Sequence, residues 1–231
     1  MDKRFFVDQK ENKLNFEGVD AKFIKNFFSL DEPYAEIKSY LAKDRFIAQA
    51  LKHYSGLRLI RQDPWQCLVG FICSSASNIP KIKKNVELIS QNFGKRMAGG
   101  WFAFPEPGKL NDLQTLKDCA TGFRAKYLFE TNQVISNGFF KELKELSYEE
   151  AKLKLIELPG VGEKIADCVL LFAYGFQEAF PVDVWMKRVI EELYFSNKKI
   201  TPQQVAEFGR RRFRPYAGYA QQYLYHWRRN L

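Results

Sequence analysis

A four-residue turn constrains this chain more than any other feature. In "ELPGVGEKIADCVLLF", residues 157–172, an apolar-periodic segment ending near Leu158 passes almost at once into a second one that begins around Lys164. Pro159, Gly160 and Gly162 supply the φ values and the bare backbone that so tight a connection needs. The first N–H groups of the second segment then lack intrahelical partners, and such groups attract anions. The spacing predicts a helix-hairpin-helix whose mouth can hold a phosphate without reading a base.

Helix-start signals recur along the rest of the chain. Asp63 precedes Pro64, Asn78 precedes an apolar-periodic run that stops at Gly94, and Ser147 to Glu150 and Thr201 to Gln204 have the spacing of capping boxes. Strand alternation is confined to "KRFFVDQKENKLNF", which predicts one short hairpin at the start. The pattern predicts a predominantly α chain of nine or ten short helices, with an irregular Gly- and Pro-rich loop over 94–112 and two closely packed helical lobes.

Apolar residues make up 46% and aromatic residues 16%, enough for a packed core rather than a disordered chain. A formal charge of +9 favours a polyanionic partner such as nucleic acid. The four cysteines (Cys67, Cys73, Cys119, Cys168) have neither C-x-x-C nor zinc-ligand spacing, so no structural metal, iron-sulfur cluster or disulfide framework is expected. "MDKRFFVDQKENKLNF" lacks a signal-peptide core, and "CVLLFAYGF" is too short to span a bilayer. A cytoplasmic protein with no membrane contact is expected.

Lys164 and Cys168 lie one helical turn apart, beside the stripe of Ile165, Val169 and Phe172. A free lysine has a pKa of about 10.4 and becomes a nucleophile only through desolvation or neighbouring cations. Otherwise it snorkels to phosphate. Downstream, "FPVDV" places Asp183 where an N-cap belongs, and a carboxylate there can also stabilise a developing cation. Phe123 is open to two readings, core residue or wedge. Arg124, Lys126, Lys81, Lys83, Lys84, Arg210, Arg211, Arg212 and Arg214 are candidates for a phosphate track, of which about half are expected to touch DNA.

The ordered blocks "LRLIRQDPWQCLVGFICSS", "GFRAKYL", "LPGVGEKIADC", "PVDV" and "PYAGYAQQYL" resemble the 8-oxoguanine DNA glycosylase/lyase family of the helix-hairpin-helix glycosylases, from about residue 30 onward. The resemblance implies a two-lobed helical fold over 19–231 with a cleft between the lobes, and reads 1–18 as a remnant of an N-terminal β domain. It implies a base-excision repair enzyme, acting as a monomer on double-stranded DNA with a flipped oxidised purine or an abasic site, near the nucleoid if the source is bacterial or archaeal. Lys164 would be the nucleophile that forms a Schiff base, and Asp183 would assist it. Cys168, Gln221, Tyr225, Phe172 and Pro181 would line the base pocket. Ala76, Asn78, Lys81, Phe123, Arg124, Lys126, Gly160, Gly162, Trp185 and Lys187 would meet DNA. Carbonyls of Ile156, Leu158 and Val161 would hold a structural Na+ or K+, and catalysis would need no cofactor.

The chain departs from that family where the partner base is read. Ala76 and Lys81 replace an asparagine and an arginine, so neither the hydrogen bond nor the bidentate fork is available, and a relaxed opposite-base preference is expected. Trp185 and Arg228 replace a histidine and an aspartate, and Arg228 is open to two readings, phosphate ligand or exposed end residue. The alternatives at this stage are a monofunctional glycosylase for other damaged bases, an endonuclease III-like enzyme, and a non-catalytic DNA-binding protein. Lys164 disfavours the first, and the lack of clustered C-terminal cysteines the second. The joint presence of Lys164, Asp183 and Gln221 disfavours the third.

Overall fold

A computed structural model describes residues 3–135 and 138–230, so the outermost residues of the predicted segments 1–18 and 19–231 lie outside the described residues. An antiparallel hairpin, β1 (Phe6–Lys10) and β2 (Lys13–Glu17), opens the chain in the register Phe6 opposite Glu17. It is the one sheet among the described residues. Thirteen α-helices follow among the described residues: α1 (Ala21–Phe27), α2 (Tyr34–Leu41), α3 (Arg45–His53), α4 (Pro64–Ser74), α5 (Ile79–Phe93), α6 (Leu113–Leu116), α7 (Arg124–Val134), α8 (Phe139–Glu145), α9 (Tyr148–Ile156), α10 (Glu163–Val169), α11 (Val184–Tyr194), α12 (Pro202–Phe213) and α13 (Ala217–Arg229). The sequence predicts nine or ten. The additional elements are pieces such as α1, α6 and α8, too short to establish a 3.6-residue period.

The predicted helix starts are realised as hydrogen bonds. Asp63 accepts from Gln66 N, Asn78 from Lys81 N and Asp183 from Met186 N, while Ser147 and Thr201 form reciprocal boxes with Glu150 and Gln204. Gly94 does end α5, in extended conformation; a Cβ there would lie 1.9 Å from the Ala103 carbonyl oxygen. The glycine thus serves a close chain crossing, not a left-handed cap.

Two helical lobes share one continuous core. In the first, the buried α4 packs against α5, α7 and α10, and α9 packs on α10. In the second, α13 packs against α3, α11 and α12. Glu32 helps to tie them together: it accepts from Arg61, from Gln177 at 3.2 Å and from Tyr219 on α13 at 2.5 Å. α10 belongs to the first lobe and α11 to the second, and the cleft lies between the start of each and the end of α4.

α10 is clamped to α9 by a buried ion pair, Lys152 Nζ to Asp167 Oδ1 at 3.1 Å, with the Tyr148 hydroxyl donating to the same oxygen at 2.6 Å. Burial pushes the Asp167 carboxyl up from its usual range, opposed by the Lys152 ammonium and the Tyr148 hydrogen bond. Removing Asp167 leaves the buried Lys152 with only the longer 3.5 Å pairing to the half-exposed Glu163. Asp167→Asn is expected to cost about 3–5 kcal/mol in urea unfolding, whereas Asp167→Leu combined with Lys152→Met costs clearly less. A single variant as stable as wild type would contradict the clamp.

Candidate active site

The hairpin between α9 and α10 is fastened to α7. Val161 N donates to the Leu158 carbonyl at 3.1 Å, and Thr131 Oγ1 donates to the Pro159 carbonyl at 2.8 Å. Gly160 has φ +75°, and a Cβ there would stand 2.6 Å from Cγ of Tyr127. Gly162 is different. It is extended (φ −99°, ψ 179°), it caps α10 with no side-chain bond, and a Cβ would meet nothing within 4 Å. Of the two glycines, only Gly160 is demanded by the turn; Gly162 leaves the mouth of α10 bare.

α10 carries Lys164 half-buried beside the buried Ile165, Cys168 and Val169. Lys164 Nζ donates to Ser74 Oγ at 3.2 Å and lies 5.0 Å from the centre of the Phe71 ring. The Ser74 hydroxyl proton is directed to the Phe71 carbonyl at 2.6 Å, so Ser74 meets the lysine as an acceptor. Asp183 faces the same space from the other lobe. Its Oδ1 takes the Met186 N–H at 2.6 Å, and Oδ2 accepts no hydrogen bond from the described residues.

Lys164 and Asp183 border two cavities. One, of about 590 Å³, is an open cleft between the end of α4 and the start of α11, reached by Ser75, Ala76, Trp185 and Lys187. The other, of about 210 Å³, is lined further by Phe71, Cys168, Phe172, Pro181, Gln221, Gln222 and Tyr225. All seven residues predicted for catalysis and base contact therefore meet around one cavity. Burial pushes the Cys168 thiol up to about 12, against the pull of Lys164, which keeps it neutral at physiological pH. A neutral thiol is a poor nucleophile and packs as a small apolar group. Phe172 stacks on Phe71 with ring centres 5.7 Å apart. Gln221 is buried and donates to the Pro181 carbonyl at 3.0 Å; the Tyr225 hydroxyl receives a hydrogen bond from Arg229.

The outer residues divide into free and engaged. Phe123 is 58% exposed at the start of α7, edge-on to Tyr127, so the core reading does not hold. Trp185 is 40% exposed. Lys81 is exposed, and Lys126 is exposed with a loose 3.7 Å pairing to Glu130. Asn78 is occupied in capping α5, and Lys187 pairs with Glu191 at 2.5 Å. Arg124 is buried, against the expectation of an outward-facing contact. Its guanidinium lies 4.5 Å from the Phe123 ring centre and donates to the carbonyls of Ser75, Ala76 (2.8 Å) and Thr121 (3.1 Å). It braces a loop in which Ala76 holds φ +46°. Arg228 pairs with Glu192, and Arg212 with Asp44 at 2.6 Å. Arg210, Arg211 and Arg214 border a separate cavity with Glu149, Glu178 and Glu207.

Residues 69–215 match the HhH-GPD superfamily base excision DNA repair protein family, and residues 5–68 match the 8-oxoguanine DNA glycosylase N-terminal domain. The chain belongs to the HhH-GPD superfamily. The hairpin, Lys164 and Asp183 all lie within the residues that match it. A probable N-glycosylase/DNA lyase of Methanothermobacter thermautotrophicus is 30% identical, over 95% of this chain and 75% of its own. The N-glycosylase/DNA lyase OGG1 of Arabidopsis thaliana is 30% identical over 87% of this chain and 60% of its own. The 8-oxoguanine glycosylase/lyase of Clostridium acetobutylicum, solved with double-stranded DNA containing cytosine opposite 8-oxoguanine, superposes with a TM-score of 0.91 at 33% identity, over 97% of this chain and 81% of that one. No helix among the described residues is long and apolar enough to cross a membrane.

Among the cavity-lining residues without a sequence assignment are Phe71, Ser74 and Gln222. Phe71 and Ser74 share one face of α4 at i, i+3, which periodicity can reveal. Their partner Lys164 lies 90 residues on, which it cannot. Because Gly160 is both left-handed and in contact, Gly160→Ala is expected to destabilise this superfamily member by about 2 kcal/mol or more. Gly162→Ala is expected to leave the unfolding midpoint unchanged or raise it; equal losses at the two sites in thermal melts would contradict the distinction.

Proposed function

We propose that this chain excises 8-oxoguanine from double-stranded DNA and then cuts the strand by β-elimination, through a Schiff base on Lys164. The observation that carries this reading is the convergence of the Lys164 amine, the Asp183 carboxylate, the Cys168 thiol and the Gln221 amide on one cavity beside an open cleft. A base inside a duplex is out of reach of such a cavity, and unstacking it costs a few kcal/mol, which a wedge such as Phe123 offsets in part by filling the gap. The flipped base enters between Cys168 and Tyr225, with its Watson-Crick edge toward Gln221.

Ser74 holds one N–H of Lys164, which directs the rest of the amine toward the sugar. Nζ gives up a proton as it attacks C1′, the C1′–N9 bond breaks, and its electron pair leaves with the base, which takes up that proton. The Asp183 carboxylate stabilises the positive charge that develops on the sugar. Loss of a proton from nitrogen and opening of the ring give the imine. Removal of a C2′ proton then expels the 3′ phosphate, and water releases the lysine. Bare N–H groups at Gly162 and the start of α10 support a phosphate contact nearby. This reading includes a Na+ or K+ held by carbonyls of Ile156, Leu158 and Val161. Ile156 ends α9, where carbonyls lack intrahelical partners and the helix dipole is negative.

The opposite-base preference is relaxed in this proposal. Ala76 has no side-chain donor, Lys81 has no fork, and Arg124 is engaged with the loop carbonyls.

Borohydride trapping on duplexes with 8-oxoguanine or a plain abasic site tests the chemistry. Wild type forms an adduct on both and Lys164→Gln on neither; no adduct with wild type on either duplex would end the lyase proposal. For the partner base, Ala76→Asn with Lys81→Arg gains about tenfold or more in preference for cytosine, one good contact being worth about 1–3 kcal/mol. A wild-type preference already that steep would refute the relaxed reading.

A further inference from the structure

Gln222 has no part in the reading above, yet it borders the small cavity and its Nε2 donates to Gln221 Oε1 at 2.6 Å. The amide of Gln221 is thereby held at both ends. The Pro181 carbonyl can only accept, so Gln221 must turn its nitrogen toward it, at 3.0 Å. The oxygen then faces Gln222, where only a donor satisfies it, and Gln222 supplies one. Gln221 is buried, which makes an unmatched amide costly and the arrangement firm. Each of its ends keeps one position, an N–H and a lone pair, for a ligand.

A fixed amide discriminates where a free one does not. A guanine-type edge offers an acceptor, O6, followed by a donor, N1–H. An adenine-type edge offers a donor, the 6-amino group, followed by an acceptor, N1. An amide free to turn over can pair with either order; one held by its neighbours pairs with one order and opposes the other.

We propose that Gln222 is a positioning residue that fixes which way round Gln221 presents its amide, and so sets which purine edge the cavity accepts. This rests on the reading that the cavity receives a flipped base. Gln222 itself performs no chemistry on the sugar, and Lys164 acts on an abasic site without needing the base edge.

The experiment compares wild type with Gln222→Leu, which keeps bulk but cannot donate, and Gln222→Glu, whose carboxylate can only accept. Single-turnover excision is measured on duplexes with 8-oxoguanine or 8-oxoadenine, alongside β-elimination at a preformed abasic site. Expected is a fall of about tenfold in 8-oxoguanine excision, the upper range for one lost neutral hydrogen bond, with Gln222→Glu affected more than Gln222→Leu. The ratio between the two lesions narrows, and abasic-site cleavage stays within about twofold of wild type. Unchanged excision and ratio in both variants, or an equal loss on the abasic site, would overturn the proposal. A wild type inactive on every duplex would instead count against the function proposed above. The positioning role is then read without substrate: in nitrogen-15 spectra the Gln221 side-chain amide exchanges slowly in wild type and faster in Gln222→Leu, and identical exchange would overturn it.

Discussion

The Lys152–Asp167 ion pair decides where the cavity-lining face of α10 points. At about 100° per residue, Asp167 and Cys168 stand on either side of Lys164 around the helix. Anchoring Asp167 against α9 and Tyr148 therefore fixes the rotation of α10 about its axis. Cys168 then faces the cavity and Lys164 stands at its edge. The same hold sets the hairpin, because α9 and α10 can approach so closely only if the turn between them is as short as Pro159 to Gly162 makes it.

From the other lobe the matching constraint is the extended segment that ends at Asp183. Pro181 turns its carbonyl to Gln221, and Asp183 turns one oxygen to Met186 N. The backbone anchor of Gln221 and the Asp183 carboxylate thus lie two residues apart on one short stretch. The end of α4 completes the frame by giving Lys164 an acceptor at Ser74 and an aromatic face at Phe71. None of these holds depends on a long flexible side chain alone.

What was legible in the sequence is what local chemistry decides. The caps at Asp63, Asn78, Ser147, Asp183 and Thr201 form because an N-cap side chain reaches a backbone N–H only three residues away. The α10 stripe is equally local. The convergence of the cavity residues came from resemblance to a family, since no periodicity links Cys168 to Gln221. Arg124 shows the opposite case. In sequence it is one more cation beside an aromatic, and its partners, the carbonyls of Ser75 and Ala76, lie 49 and 48 residues earlier. Short helices such as α6 were illegible because a single turn has no period to count.

The Ser75–Ala76 loop joins stability to selectivity. A left-handed backbone costs an alanine roughly 1 kcal/mol, while asparagine occupies that region more readily. Ala76 nevertheless holds φ +46°, and the buried Arg124 guanidinium offsets the strain by satisfying both loop carbonyls. The backbone shape is therefore kept although alanine is not the side chain best suited to it. A loop maintained at a cost, with no side-chain donor at position 76, still orders the lip of the cleft beside Lys164 and Asp183. In the proposed function, loop shape and base reading are separable: Arg124 secures the first, and the side chains at 76 and 81 would decide the second.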